Sequence, residues 1–256
     1  MKSFEKFLND KNCSIQEIKN YLENIIDTKN NFVCLYSSHM DNLGNSESDI
    51  DVYVFSASLV REDYFKVENY IISGLNLDIE YRNIEFLKTL IDKYKSVIST
   101  PAEINVFDLK LIQRVKSSLK LNTDVLCAEN ELLRLLSELD IKNNVSNYYS
   151  YLARSDYDDG IRMFNSQNFI ASRECLRKAV IYQAGAINSV YGSINLKEKW
   201  ISTIFLGLNQ VENMDIVPMY LKNIVYEEVT EKNIESVCKS LILLYQMMVS
   251  EVAFNS

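Results

Sequence analysis

The chain has 256 residues, 47% of them hydrophobic, enough to build the core of one large or two small domains. Its formal net charge of −8 argues against a nucleic-acid backbone as the main partner, because such binders show basic stripes. Five cysteines (Cys13, Cys34, Cys127, Cys175 and Cys238) without pairing or CxxC spacing argue against a disulfide framework or a zinc site, and the only histidine, His39, excludes any mechanism that needs two.

The opening MKSFEKFLNDKN lacks the apolar segment of a signal peptide, and no apolar run reaches the ~18 residues that span a bilayer. The expected setting is the cytoplasm, away from the membrane. Residues 14–28 carry Ile15, Ile18, Tyr21, Leu22, Ile25 and Ile26 at helical spacing, with Ser14 placed to cap them. A strand is predicted at Phe32–Tyr36, then a polar turn holding Gly44. The next run, SDIDVYVF, alternates Ile50, Val52 and Val54 with Asp49, Asp51 and Tyr53, the period of a half-buried strand. Alternate side chains of a strand share a face, so the two carboxylates would stand about 6.6–7 Å apart along it. They repel one another unless a cation lies between them.

FKVENYIISGLNLDIEYR reads as a hairpin turning at Ser73-Gly74. In its second strand Leu75, Leu77, Ile79 and Tyr81 alternate with Asn76, Asp78 and Glu80, which again puts acids on one face. From Glu85 onward the pattern is helical, with helices predicted over 85–98, 102–119, 125–150, 156–166, 169–191, 196–206, 217–226 and 231–252. Six glycines and two prolines suit short connections between them. Met247 and Met248 are assigned to the core. The expected fold class is α+β: an N-terminal α/β domain with a small mixed sheet over 1–120, followed by a C-terminal helical bundle over 121–256.

With these pieces the sequence resembles the DNA polymerase β-like nucleotidyltransferase superfamily. That superfamily shows a strand ending in Gly-Ser or Gly-Gly, a spacer of about ten residues, Asp-x-Asp between apolar residues, and a third acid on a later strand. Ser37-Ser38 takes the first position here, residues 39–48 are the spacer, and Ser48-Asp49-Ile50-Asp51-Val52 completes the motif. LDIEY supplies the third acid. The likeness covers residues 30–82 well and the helical half in outline, where it looks closest to the aminoglycoside-type, small-molecule enzymes.

The resemblance implies transfer of a nucleoside monophosphate from an NTP to a small-molecule hydroxyl, with release of pyrophosphate. It implies Mg²⁺, in two ions, held by Asp49, Asp51 and a third acid, since Mg²⁺ takes carboxylates together with substrate phosphates. Asp78, flanked by Leu77 and Ile79, is favoured as that third ligand, and Glu80 is the candidate general base. The bland alternative for Glu80 is a surface acid paired with a basic side chain. Ser37 and Ser38 are expected at the nucleotide, although Ser37 stands where glycine is usual and lets the backbone approach the phosphates less closely. His39 would touch a phosphate or lie near solvent.

Positive charge for the triphosphate is expected from the helical half. Arg173 and Arg177 are four residues apart, hence on one helical face, and Lys197 and Lys199 follow a glycine-containing turn beside Trp200. The acids of DYDDG, Asp156 to Gly160, read as an acidic helix start or as the lining of a cleft for a cationic acceptor. Expected partners are the NTP and a small hydroxyl acceptor, with a homodimer left open. The competing readings are a modifier of a partner protein in a toxin–antitoxin or signalling system, and a nucleotide-binding module without turnover.

Overall fold

The computed structural model describes residues 2–59, 66–121, 127–208, 215–226 and 228–255. They fall into two units, Met1–Ser96 with Lys110–Leu139 and Val97–Leu109 with Asp140–Ser256. The class is α+β, as expected: the first unit holds a five-stranded mixed sheet and the second is helical.

The first unit opens with a helix that the sequence reading missed, α1 (Lys2–Asp10). Phe4, Phe7 and Leu8 share one face of it and are buried, while its other positions are mostly charged or polar. In α2 (Ile15–Ile25) Ser14 is the cap. Its hydroxyl accepts from the Glu17 N–H, and the Glu17 carboxylate accepts from the Ser14 N–H. Strands β1 (Phe32–Tyr36), β2 (Ile50–Ser56), β3 (Lys66–Ile72) and β4 (Leu75–Asn83) follow. The β3–β4 hairpin turns where predicted: Ser73 and Gly74 have φ of 49° and 75°, the left-handed pair that a tight hairpin turn requires. Then come α3 (Ile84–Tyr94), α4 (Val106–Ser117), a two-residue strand β5 (Leu119–Lys120) and α5 (Cys127–Glu138). The sheet order is β3-β4-β2-β1-β5, with β2 and β4 parallel and the other pairs antiparallel.

Expected as half-buried, β2 is buried along its whole length. It is the central strand, so both of its faces are covered. Ile50, Val52 and Val54 pack with Val33, Leu35, Leu77 and Ile79 against Phe4, Phe7, Ile18 and Leu22 of the first two helices. On the opposite face Tyr53 meets Arg114 of α4, and α3 packs against β2 and β4. The helix predicted over 102–119 starts at Val106, after a single 3-10 turn at Pro101–Glu103, and yields to β5 at its end. Lys120 stops α4 by donating its ammonium to the carbonyls of Val115, Lys116 and Ser118 at 2.6, 3.1 and 2.7 Å.

Across the end of the first unit and the start of the second, the predicted helices 125–150 and 156–166 are divided differently. Residues 125–126 lie outside the described residues, the chain breaks after α5 at Leu139–Ile141, and α6 (Lys142–Asn165) then runs unbroken through DYDDG. These acids are therefore not a helix start, and the macrodipole reading of them fails. α7 (Phe169–Val190) packs along α6, burying Tyr149, Leu176, Val180 and Ala184. A 3-10 turn at Glu198–Trp200 leads into α8 (Ile201–Gly207). After it come α9 (Ile216–Tyr220), a π-helical turn at Leu221–Tyr226 and α10 (Ile234–Asn255).

Contrary to the sequence reading, the stretch Ile234–Ala253 is long and apolar enough to cross a membrane. Here it packs on α7 with Cys238, Leu241, Leu244 and Met248 fully buried, so its apolar side serves the bundle core. Among the described residues, Cys13, Cys34, Cys175 and Cys238 are in no disulfide, and the Cys127 side chain lies outside the described residues.

Candidate metal centre

The parallel ladder sets Asp51 of β2 directly beside Asp78 of β4. Neighbouring strands lie about 4.8 Å apart, so the two carboxylates leave the same face side by side. Asp49 stands one residue before β2, and the Ser37 hydroxyl donates to its carbonyl oxygen at 3.1 Å, tying the end of the loop to the end of β1. One oxygen from each of Asp49, Asp51 and Asp78 lies within 4.8 Å of the others. Oxygens about 2.0–2.6 Å from a shared Mg²⁺ or Ca²⁺ stand no more than ~5 Å apart, so the spacing fits a hard divalent cation. The donor set is all carboxylate, which such ions prefer.

Asp51 is 9% exposed and Asp49 is exposed, giving the triad one anchored and one solvent-facing edge. Asp78 accepts from the Asn69 amide at 3.0 Å. Burial, and then the charges of Asp49 and Glu80, push the Asp78 carboxyl above the usual range. A positive ion there relieves all three causes at once. Asp49 and Asp78 open onto a cleft of about 420 Å³ lined also by Asn69, Tyr70, Ile71 and Asn76.

The loop that presents Asp49 is built on His39, which is buried and does not lie at the solvent surface. Its ring is 9% exposed, stacks on Phe7 at 4.1 Å and 17°, and its Nε2 donates to the Asn45 carbonyl at 2.9 Å. Gly44 passes directly over this ring: a Cβ there would lie 2.2–2.5 Å from Cδ2, Cγ and Nε2. The glycine in the linking turn thus answers to the histidine and not to a ligand. Likewise the Ser37 hydroxyl, expected at the nucleotide, is spent on the Asp49 carbonyl; Ser38 opens a 3-10 turn, Ser38–Asp41.

The sequence reading missed a basic group at the site. Arg114 donates from Nη1 to the Tyr53 hydroxyl at 2.7 Å and to Asp51 Oδ1 at 3.3 Å, and its guanidinium lies 5.5 Å from the Tyr36 ring centre. Burial works against its charge, but Tyr53 and Asp51 more than offset this and hold it protonated. Burial also raises the Tyr36 and Tyr53 hydroxyls far above their usual range. The sole signal was an arginine on the helical stretch LKLIQRV, and periodicity does not say which strand such a residue meets.

No family model and no curated protein sequence matches the chain. Its structure does match a solved one, the crystal structure of a nucleotidyltransferase-like protein from Exiguobacterium sibiricum. The match covers 93% of this chain and 78% of that one, with a TM-score of 0.54 and 12% sequence identity. The fold is nucleotidyltransferase-like.

Of the residues expected to work in such a fold, the structure brings together Asp49, Asp51 and Asp78. Glu80 lies beyond Asp78 on β4, and its carboxylate takes Arg82 in a 3.0 Å ion pair. That is the bland arrangement weighed for it. The basic residues of the helical half belong to the second unit. Arg173 pairs with Glu174 and leaves its buried Nε without a partner, while Lys199 lies 5.1 Å from the Trp200 ring centre. Arg177 stands on the same helix near the buried Tyr220 hydroxyl, and Lys197 occupies the position before the 3-10 turn Glu198–Trp200 without a capping bond from its side chain. Asp156 is raised by burial, with Lys178 opposing that shift.

Proposed function

We propose that this chain is a metal-dependent nucleotidyltransferase that moves a nucleoside monophosphate from an NTP to a hydroxyl of a small molecule. One observation carries the reading: three carboxylates from two adjacent strands and the preceding loop converge within 4.8 Å on a nucleotidyltransferase-like sheet. Asp49, Asp51 and Asp78 would hold Mg²⁺, which stabilises charge on the attacking and leaving oxygens. In the transfer the acceptor oxygen forms a bond to the α-phosphorus while the bond from that phosphorus to the bridging oxygen of the β-phosphate breaks, and pyrophosphate leaves. The hydroxyl proton goes to the Asp78 carboxylate, which stands on the strand beside Asp51 and faces the cleft. Asn69, donating to Asp78 Oδ1, fixes the orientation of that carboxylate.

The Ser37 hydroxyl supports a catalytic member over a degenerate one, because it holds Asp49 in place where a glycine has no group to do so. The test is incubation with each α-labelled NTP, Mg²⁺ and a panel of small hydroxyl compounds, following label transfer and pyrophosphate release. Transfer that Asp51→Asn and Asp78→Asn abolish is the expected result. Label incorporated into protein and into no small molecule would move the assignment to a protein modifier. No transfer, with NTP bound equally by wild type and Asp51→Asn, would refute it.

A further inference from the structure

Arg114 is a fixed charge. Its Nη1 is held by the Tyr53 hydroxyl and Asp51 Oδ1, its side chain is 19% exposed and that of Asp51 12%. The surroundings are equally tied. Tyr36, over whose ring the guanidinium sits, donates to Asp41 Oδ2 at 2.7 Å, and Gln113, next to Arg114 on α4, donates to the same oxygen at 3.0 Å. A guanidinium in such a frame cannot swing away when a cation enters, and its proton is not lost at any physiological pH.

Three carboxylates and one guanidinium give the triad a formal charge of −2, against −3 without Arg114. A single divalent ion already neutralises this, and it does so beside a positive group bonded to one of its own ligands. A second ion then finds no net negative charge to attract it and meets the repulsion of the first. A triphosphate reverses that balance, because it brings several negative charges to the same place. Resting on the reading of the triad as a metal site, we infer that Arg114 makes divalent-cation binding conditional on the nucleotide. The bare site holds the ion weakly, and the nucleotide raises its affinity through the charge that Arg114 offsets. By linkage, the ion raises nucleotide affinity by the same factor.

The alternative, that Arg114 merely orients Asp51, predicts the opposite sign on removal. A purely structural role makes the ion bind less well when Arg114 is lost. The inferred role makes it bind better.

The experiment measures Mn²⁺ affinity by electron paramagnetic resonance, with and without a non-hydrolysable NTP, for wild type, Arg114→Gln and Arg114→Lys. Gln retains a donor for Asp51 and Tyr53 without the charge; Lys retains the charge. Arg114→Gln should bind Mn²⁺ alone about 10- to 100-fold more tightly than wild type, the scale of one nearby charge screened by water, and Arg114→Lys should stay within about threefold. In wild type the nucleotide should tighten Mn²⁺ binding by at least ~30-fold, and this measurement stands even where Arg114→Gln does not fold. Equal or weaker Mn²⁺ binding by Arg114→Gln, or a nucleotide effect under about threefold in wild type, overturns the inference and leaves the metal site intact. No Mn²⁺ binding by wild type in either condition overturns the metal reading and this inference with it.

Discussion

Gly44→Ala puts the contact between the spacer loop and His39 to a quantitative test. The added methyl would meet three ring atoms of His39 at 2.2–2.5 Å, far inside any real carbon contact, so the ring or the loop must move. The ring is held on two sides, by the stack on Phe7 and the bond to the Asn45 carbonyl. Moving it forfeits a buried hydrogen bond, worth about 1–3 kcal/mol when a partner is left unsatisfied, and a ring stack worth about 0.5–1.5 kcal/mol. The stiffer unfolded chain returns about 0.4–1 kcal/mol, since the Gly44 backbone itself suits alanine. The net loss is about 0.5–4 kcal/mol, centred near ~2, which lowers Tm by roughly 4–8 °C at that centre for a protein of this size. Scanning calorimetry on wild type, Gly44→Ala, His39→Ala and the double variant measures it. In the double variant the methyl occupies space that the ring has vacated, so its loss should fall at least ~1 kcal/mol short of the sum of the single losses. A Gly44→Ala protein within about 0.5 kcal/mol of wild type, or strictly additive losses, would refute the reasoning.

Lys120→Met removes the cation that closes α4 on three carbonyls, and chemical denaturation should show a loss of about 1–3 kcal/mol. Glu80→Gln should leave Mn²⁺ affinity within about twofold of wild type, because Glu80 is engaged with Arg82, whereas Asp78→Asn should lower it at least ~10-fold. Alkaline pH should unfold the protein cooperatively. Burial holds the Tyr36, Tyr53 and Tyr149 hydroxyls well above their ordinary value of 10.0. Below that value both states keep these protons; above it the unfolded chain releases them while the folded one does not, so stability is lost as pH rises from about 10 upward. The share of the tyrosinate absorbance that belongs to these three should therefore appear together with loss of circular dichroism, and complete titration of all sixteen tyrosines with the dichroism intact would contradict it.

The acid triad was legible because its period is short-range. Asp49 and Asp51 sit two apart in one strand, and Asp78 follows a hairpin that Ser73-Gly74 announces. What joins them, the parallel pairing of β2 with β4, is a long-range contact that neither strand announces. Arg114 was invisible for the converse reason: its partners Tyr53 and Asp51 lie about sixty residues earlier, and a helix pattern carries no address. The contacts of Ser37 and His39 were not legible because both are polar residues in a loop, and nothing in the sequence shows that the loop folds back over α1. Gly160, a helix breaker by propensity, is accommodated within α6 because tertiary packing on α7 outweighs the intrinsic cost. α1 itself was overlooked because its three core residues are outnumbered by its charged and polar ones.

The β2–β4 register also bears on how the chain reaches this state. A slip of one residue would turn Leu77 or Ile79 toward the acidic face and Asp78 into the apolar layer under α1 and α2, so the core itself rejects that error. A slip of two would preserve the burial pattern and set Glu80 or Asn76 beside Asp51, and the core cannot detect it. The turn at Ser73-Gly74, which fixes β3 against β4, and the bond from Asn69 to Asp78 guard against that second error within the hairpin only. Between β2 and β4, which are parallel and joined through β3, the final alignment is a long-range event that must close two carboxylates on one another. Refolding of this protein should therefore be a search with a late electrostatic barrier, and the cation suited to the finished site is also the one suited to lowering that barrier during assembly.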